Sequence, residues 1–208
     1  MKPYLTKTPR LVQRIYKNYT WRFLTNKKEI YLTFDDGPTP EITQWTLDLL
    51  KQHNAKATFF CIGKNIVEHP NIYQQIIKEN HSIGNHTHNH KNGFKTDLKS
   101  YIKNFLKAES YMENSLKLFR PPYGKLKKIQ AKKLRSLGYK IIMWDVLSAD
   151  FDTTISNEKC LKNVIQHTKA GSIIVFHDSI KAQERLQYTL PKVLEHFSKK
   201  GYEFKAIT

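Results

Sequence analysis

The pattern that most limits the fold of this chain is a regular alternation that begins after residue 28. Short apolar runs, the first at residues 30–34, alternate with longer amphipathic stretches. Short apolar runs bounded by turn residues are typical of buried strands, whereas apolar residues that recur with the helical period indicate helices. Strands that alternate with helices indicate βα units and a parallel sheet. The sequence therefore predicts an α/β fold.

This pattern places the elements as follows. The predicted strands are residues 30–34, 57–62, 82–84, 118–120, 140–144, 172–176 and 203–206. The predicted helices are residues 41–53, 64–80, 98–116, 129–137, 156–168 and 185–200. We interpret residues 1–28 as a basic N-terminal arm that packs across a catalytic domain formed by residues 29–208.

Two motifs carry the residue types of a metal-dependent hydrolase. Asp35 and Asp36 end the first predicted strand, and a Gly-Pro pair then breaks it. Adjacent residues there point in different directions, so one carboxylate can bind a metal while the other faces water. His86 and His90 are spaced i, i+4, which places both side chains on one face of a helix or helical turn. Three protein ligands leave a position on the metal open for water, as catalytic sites do.

Each of these motifs also has a simpler interpretation when it is taken alone. The Asp-Asp-Gly-Pro run is typical of a turn followed by a helix cap. The spaced histidines are compatible with a solvated helix face. Three later motifs weaken both interpretations, and they are Arg120-Pro121-Pro122-Tyr123-Gly124, Ser148-Ala149-Asp150-Phe151 and Val175-Phe176-His177.

With all five motifs in order, the chain resembles the polysaccharide deacetylases, the carbohydrate esterases (family 4) built on the NodB-homology domain. The resemblance covers roughly residues 29 to 207. It implies a distorted (β/α) barrel with fewer than eight βα units. Each motif follows a predicted strand or ends it, which is where barrel enzymes place their active sites.

The resemblance also assigns the metal ligands and the catalytic base. In the family, a carboxylate and two histidines bind the metal, and these correspond to Asp36, His86 and His90. The family's catalytic base corresponds to Asp35, and the arginine that orders it corresponds to Arg120. A nearby cation favours the ionised form of a carboxylate. Zinc is the expected metal, and cobalt, nickel, manganese and iron are alternatives.

The acid and the substrate wall are assigned in the same way. The general acid of the family corresponds to His177, and the aspartate that tunes it corresponds to Asp150. A backbone amide near the tyrosine of the third motif helps to bind the oxyanion, so Tyr123 and Pro122 are expected to contact the substrate.

The chain departs from the family pattern at two positions. Phe151 replaces a tryptophan in the fourth motif, and Val175 replaces a leucine in the fifth. Both substitutions keep an apolar wall beside the substrate and change its shape. Trp144 lies nearby in the sequence, and we interpret it as a core residue more than as a sugar platform.

The charge balance bears on the partners. The chain has 35 Lys and Arg against 18 Asp and Glu, a formal net charge of +17. Such a field favours anionic partners, so the glycan substrate could itself be anionic. The densest lysine cluster follows the third motif, at Lys125, Lys127 and Lys128. We expect no specific nucleic-acid binding, because no nucleic-acid motif accompanies the charge.

Location and assembly are only weakly constrained. No segment approaches the ~18 apolar residues of a membrane span. The first residues lack the apolar core of a signal peptide, so a cytoplasmic location is the default expectation. Two distant cysteines do not form a disulfide framework. The sequence does not indicate an oligomeric state.

The resemblance implies a metal-dependent hydrolase that removes N-acetyl groups from GlcNAc-containing glycans, such as peptidoglycan or chitin-like oligomers, and releases acetate. Two alternatives stay open. The same site could remove O-acetyl groups from an acetylated polysaccharide, or the chain could be a carbohydrate-binding module that has lost catalysis. The sequence does not choose among glycans or chain lengths.

Overall fold

The structure is a computed structural model, and it describes residues 4–113 and 116–208. Its strands are β1 (Glu29–Asp36), β2 (Ala57–Cys61), β3 (Ser82–Asn85), β4 (Leu118–Phe119), β5 (Lys140–Ile141), β6 (Val146–Leu147), β7 (Ile173–His177) and β8 (Glu203–Phe204). Its α-helices are α1 (Arg10–Ile15), α2 (Ile42–Gln52), α3 (Gly63–Glu68), α4 (Pro70–Lys78), α5 (Leu98–Glu109), α6 (Lys128–Ser136), α7 (Asn157–His167) and α8 (Gln183–Lys199).

The strands form one sheet in the order β5-β4-β3-β2-β1-β7-β6, and β8 pairs with the beginning of β1. Every pair of neighbouring strands is parallel, as the alternation of strands and helices predicts. All five residues of β2 are buried, which is typical of a central parallel strand covered on both faces. The sheet curls into the distorted barrel that the resemblance implies, so the predicted fold class is confirmed.

The main core lies between the central strands and the helices that cover them. The rings of Phe34 and Phe59 stack with centroids 5.0 Å apart, and Phe176 stacks on Phe34 at 6.0 Å. All three side chains are buried. Burying a side chain of this size contributes about 1.5–3 kcal/mol, so this cluster anchors β1, β2 and β7 side by side.

Several predicted boundaries differ from the observed ones. The helix predicted at residues 64–80 is two helices, because His69 precedes Pro70 and a residue before proline disfavours helical geometry. The helix predicted at residues 98–116 ends at Glu109, and part of its predicted end lies outside the described residues. The strand predicted at residues 140–144 ends at Ile141, and β6 and α1 are not among the predicted elements.

The N-terminal arm lies against the segment that joins β5 to β6, which are the two end strands of the sheet order. The amide of Thr20 donates to the carbonyl of Ile141 at 2.9 Å, and the amide of Thr8 donates to the carbonyl of Asp145 at 3.0 Å. Lys7 forms an antiparallel bridge with Val146 in β6. The boundary between arm and domain at residues 28 and 29 stays a prediction.

No helix in the described ranges combines the length and the apolar character that crossing a bilayer requires.

Candidate active site

The motif residues meet at the carboxyl edge of the sheet. Asp35 and Asp36 are the last residues of β1, and His177 is the last residue of β7. Asp35 and His177 are register partners on these neighbouring strands. His86 follows β3 directly, and Arg120 follows β4. Because parallel strands all end at the same edge, motifs far apart in the sequence converge on one pocket.

Asp36, His86 and His90 form the group that could hold a metal ion. Their potential ligand atoms all lie within 4.8 Å of one another. Asp36 Oδ1 lies 3.3 Å from His90 Nε2 and 3.8 Å from His86 Nε2. This oxygen is buried and has no hydrogen-bond partner among the described residues. A buried carboxylate oxygen without a partner is costly, so the group fits a cation better than it fits a closed hydrogen-bond network.

The two histidines converge through a loop, so the helical turn predicted for them is wrong. The loop follows β3, and both Thr87 and His90 have positive φ angles, 62° and 50°. The Asn85 side chain accepts a hydrogen bond from the Thr87 amide at 2.8 Å and fixes the first of these turns. The loop brings the rings of His86 and His90 to a centroid distance of 5.0 Å.

His86 is held in the tautomer that a metal ligand needs. Its Nδ1 lies 2.8 Å from the carbonyl oxygen of Arg120. Because a carbonyl only accepts, Nδ1 must carry the proton, which leaves the Nε2 lone pair directed toward Asp36. Burial, followed by repulsion from His90, lowers the pKa of His86 well below its ordinary value. Burial also lowers the pKa of His90. Both rings are therefore neutral near pH 7, as metal-binding imidazoles must be.

Arg120 supports Asp35 from inside the protein. Its side chain is completely buried, and Nη1 donates to Asp35 Oδ1 and to Thr33 Oγ1, both at 2.7 Å. Nη2 donates to the carbonyl of Met143 at 3.0 Å, and the guanidinium lies 4.2 Å from the Phe60 ring centroid. These contacts fix one Asp35 oxygen in place, while the Asp35 side chain also lines the pocket.

Asp150 supports His177 in a similar way. Asp150 is completely buried, and its Oδ1 lies 2.7 Å from His177 Nδ1. Its Oδ2 accepts from the His177 amide, also at 2.7 Å. Burial opposes the charging of His177, but attraction and hydrogen bonding from Asp150 outweigh it and raise the pKa of His177 to about 9. His177 is therefore protonated near pH 7.

A further aspartate, Asp178, holds the loop that follows β1. It is completely buried and accepts hydrogen bonds from the Gly37 amide at 3.0 Å and the Thr43 hydroxyl at 2.6 Å. A Cβ on Gly37 would overlap the Asp178 carboxylate, so only glycine fits there. Burial raises the pKa of Asp178 to about 7. Its position beside His177 in the sequence was the only signal that could have drawn attention to it.

The motif residues line a pocket of about 500 Å³. Tyr123, Phe151 and Val175 lie in its wall, where the sequence placed them. Pro122 is buried in the 3₁₀ turn before Tyr123 and lies outside the wall. Four further wall residues were not predicted from the sequence. They are Tyr4 from the arm, Leu147 from β6, Lys181 and Trp144. Trp144 packs in the core and also faces the pocket, so its interpretation as core alone is incomplete.

Comparisons with known proteins relate this chain to one family. The model of the polysaccharide deacetylase family matches residues 24–142, more than half of the chain. A peptidoglycan-N-acetylglucosamine deacetylase of Bacillus cereus is 34% identical over 193 residues, which cover 91% of each chain. A chitooligosaccharide deacetylase of Azorhizobium caulinodans is 31% identical over 168 residues, 78% of this chain and 80% of the relative.

Solved structures agree with these sequence matches. A crystal structure of a peptidoglycan N-acetylglucosamine deacetylase in complex with 4-naphthalen-1-yl-N-oxidanyl-benzamide superposes with a TM-score of 0.87. The two sequences are 34% identical, and the match covers 96% of this chain and 95% of the other. The fold, the family model and the curated relatives thus agree, and the chain belongs to the polysaccharide deacetylase family.

Proposed function

We propose that this protein is a metal-dependent hydrolase that removes N-acetyl groups from GlcNAc-containing glycans and releases acetate. The observation that carries the proposal is the arrangement around one pocket. A candidate metal group lines this pocket together with a carboxylate held by a buried arginine and a protonated histidine held by a buried aspartate. Amide hydrolysis needs a base for the water and an acid for the amine, and these two pairs offer both.

Asp36, His86 and His90 would hold the metal. A divalent cation bound there would polarise the acyl oxygen as a Lewis acid and lower the pKa of water. Nitrogen and oxygen ligands of this kind suit zinc, and cobalt, nickel, manganese or iron would bind with other affinities.

Asp35 is the proposed base. Its carboxylate faces the pocket and would take the proton from the attacking water. Arg120 donates to Asp35 at 2.7 Å and so limits its rotation. Arg120 is itself fixed by hydrogen bonds to Thr33, Ile142 and Met143. A positioned base of this kind contributes about 10²–10⁴ in rate.

The developing oxyanion would lie near the third motif. Tyr123 has a left-handed backbone conformation, with φ 60° and ψ 10°, in a tight turn at the edge of the pocket. We assign the Tyr123 amide as a donor to the oxyanion, because a preorganised backbone donor stabilises charge that forms during the reaction.

His177 is the proposed acid, and it would protonate the amine as the bond to the acyl carbon breaks. Amines leave poorly unless they are protonated, so this step needs an acid that is still charged near neutral pH. Asp150 keeps His177 protonated through its hydrogen bond to Nδ1, and this bond leaves Nε2 as the proton donor.

Metal removal and replacement test the proposal. We would strip the protein of metal, reload it with zinc or cobalt, and measure acetate release from GlcNAc oligomers. His86→Ala should lose both metal and turnover. His53→Ala, which alters a half-buried histidine at the end of α2, is the matched control and should keep both.

Parallel assays on matched sugars separate amide from ester hydrolysis. Release from N-acetyl sugars that depends on metal supports the proposal. Release only from O-acetyl sugars would make the protein an esterase. A metal-loaded protein that hydrolyses neither substrate would overturn the assignment of catalysis.

A further inference from the structure

A second cavity, of about 400 Å³, adjoins the catalytic pocket on the side of the N-terminal arm. We call it the arm pocket. It is lined by Leu5, Thr8, Pro9, Val12, Trp21 and Met143, and by five residues that also line the catalytic pocket. Most of its lining is therefore apolar or aromatic. Its arm residues precede residue 24, where the match to the family model begins.

The arm pocket and the catalytic pocket are neighbours that share part of their lining. Tyr4, Tyr123, Gly124, Trp144 and Leu147 border both cavities. Tyr123 is 60% exposed, and its ring lies 4.4 Å from that of His90, a proposed metal ligand. A chain-like ligand in the catalytic pocket that extends toward the arm would therefore contact these shared residues first.

The arm forms a wall that is already fixed in place. The Tyr4 hydroxyl donates to Asp152 at 2.8 Å, and the Tyr4 ring packs edge-on against Phe151 at 5.5 Å. The Thr8 hydroxyl donates to the Trp144 carbonyl at 2.8 Å. A wall held by such contacts loses little conformational entropy when a ligand binds.

We propose that the arm pocket binds a neighbouring sugar of the same glycan whose acetylated sugar occupies the catalytic pocket. The proposal rests on the proposed function, because it takes a glycan as the ligand. Aromatic side chains offer flat apolar faces, which match the apolar face of a pyranose ring, and the tyrosine hydroxyls supply polar contacts at the rim. A cavity of this volume lies in the range of small-ligand sites. Residues of the arm therefore select for oligomers over single sugars.

The test compares two leucines of the arm. Leu5 lines the arm pocket and is 61% exposed, whereas Leu11 is 67% exposed and lies outside the lining. Leu5→Glu places a charge against the bound sugar, and Leu11→Glu makes the same change outside the pocket. Both positions are exposed, so both variants should fold, which circular dichroism would check.

We would measure kcat/KM of the zinc-loaded enzyme on GlcNAc and on chitotetraose. The affinities of zinc-loaded Asp35→Asn for the same two sugars would be measured by calorimetry. In the parent protein we expect a clear preference for chitotetraose. Leu5→Glu should reduce that preference about fivefold, because one apolar contact is lost. Leu11→Glu should leave it unchanged.

Several outcomes would contradict the proposal that the arm pocket binds a sugar. These are an absence of length preference in the parent protein, an equal loss on both sugars in Leu5→Glu, or an equal effect of Leu11→Glu. A second possible result is that Asp35→Asn binds chitotetraose more tightly than GlcNAc while the parent enzyme releases no acetate. This result would support sugar binding in the arm pocket and contradict the proposed deacetylation. Acetate release without a preference for longer substrates would contradict only the proposed role of the arm pocket.

Discussion

Two carboxylate–cation pairs line the catalytic pocket, and the completely buried partner is the cation in one pair and the carboxylate in the other. In the Arg120–Asp35 pair the cation is completely buried, and the carboxylate lines the pocket. In the Asp150–His177 pair the carboxylate is completely buried, and the imidazole lines the pocket. The buried partner in each pair has several fixed hydrogen bonds.

The difference between the pairs shows how one pocket can hold a base and an acid at the same pH. In each pair the completely buried partner holds the partner that lines the pocket. Asp150 raises the pKa of His177 and favours its positive form, whereas Arg120 holds the Asp35 carboxylate in an ion pair at 2.7 Å. Pairs of groups whose environments favour opposite charges are the arrangement that separates acid and base roles.

The largest expected effect comes from changing Asp35, the member of the first pair that lines the pocket. Asp35→Asn keeps the shape of the side chain and its contact with Arg120, but an amide cannot take a proton from water. We expect kcat/KM to fall about 10³-fold with metal content unchanged. Acetate release and metal analysis would be measured together. As a control, Asp48→Asn changes an exposed aspartate in α2 and should have no effect. A rate for Asp35→Asn within tenfold of the parent rate would remove Asp35 from the base role.

The buried member of the first pair should matter more for folding than for any single chemical step. Arg120→Met fills similar space but leaves Asp35 and Thr33 without their donor. Breaking a buried ion pair costs about 3–5 kcal/mol, so the free energy of unfolding should fall by that amount. Urea unfolding of the metal-free protein measures it. A loss below about 1 kcal/mol would mean that Arg120 is not the fixed partner described here.

Much of this arrangement could be predicted because it depends on local sequence patterns. The apolar run before Asp35 indicates a strand, and the end of that strand fixes where both aspartates lie. In the same way, an apolar run indicates strand β7, and the end of that strand fixes where His177 lies. Since parallel strands end at one edge, the order of strands and helices alone brings these residues to the same side of the sheet.

Other parts depend on contacts that no local pattern encodes. The spacing of His86 and His90 permits a helix but does not require one, and the positive φ angles of Thr87 and His90 make a loop instead. Strand β6 has two residues, too few to show a period. The arm is held against the domain by backbone pairings such as Thr20 with Ile142, which join residues far apart in the chain.

The buried member of the second pair offers a pH test. An acid works only while it is protonated, so activity in the parent should persist below the pKa of His177, about 9, and fall above it. Asp150→Asn removes the attraction that raises this pKa and leaves the burial that lowers it. The alkaline limb of kcat should therefore move to lower pH by at least about one unit, and activity near pH 7 should fall about tenfold. If the alkaline limb did not move in Asp150→Asn, the limb would report the titration of a group other than His177.

The same pair gives a dependence of stability on pH. A histidine whose pKa is raised in the folded protein stabilises the fold fully below its ordinary pKa of 6.5. That contribution is lost as the pH rises through about 9. Asp150→Asn should flatten this part of the stability curve, which urea unfolding at a series of pH values would show.

A third pair, Lys7–Asp145, gives the smallest effect because it lies outside the catalytic pocket. Asp145 is buried and accepts from Lys7 Nζ at 2.6 Å, but also from the Ser172 hydroxyl at 2.7 Å and from Gln13. Lys7 is 34% exposed, so water can replace part of its contact. Lys7→Met should therefore cost only about 1 kcal/mol of unfolding free energy. Turnover of GlcNAc should stay within about twofold, because the mutation changes no group that faces the metal ligands. If Lys7→Met instead reduced turnover as much as Asp150→Asn does, the buried partners would act through general stability, and the opposed charges of the two catalytic pairs would not explain their roles.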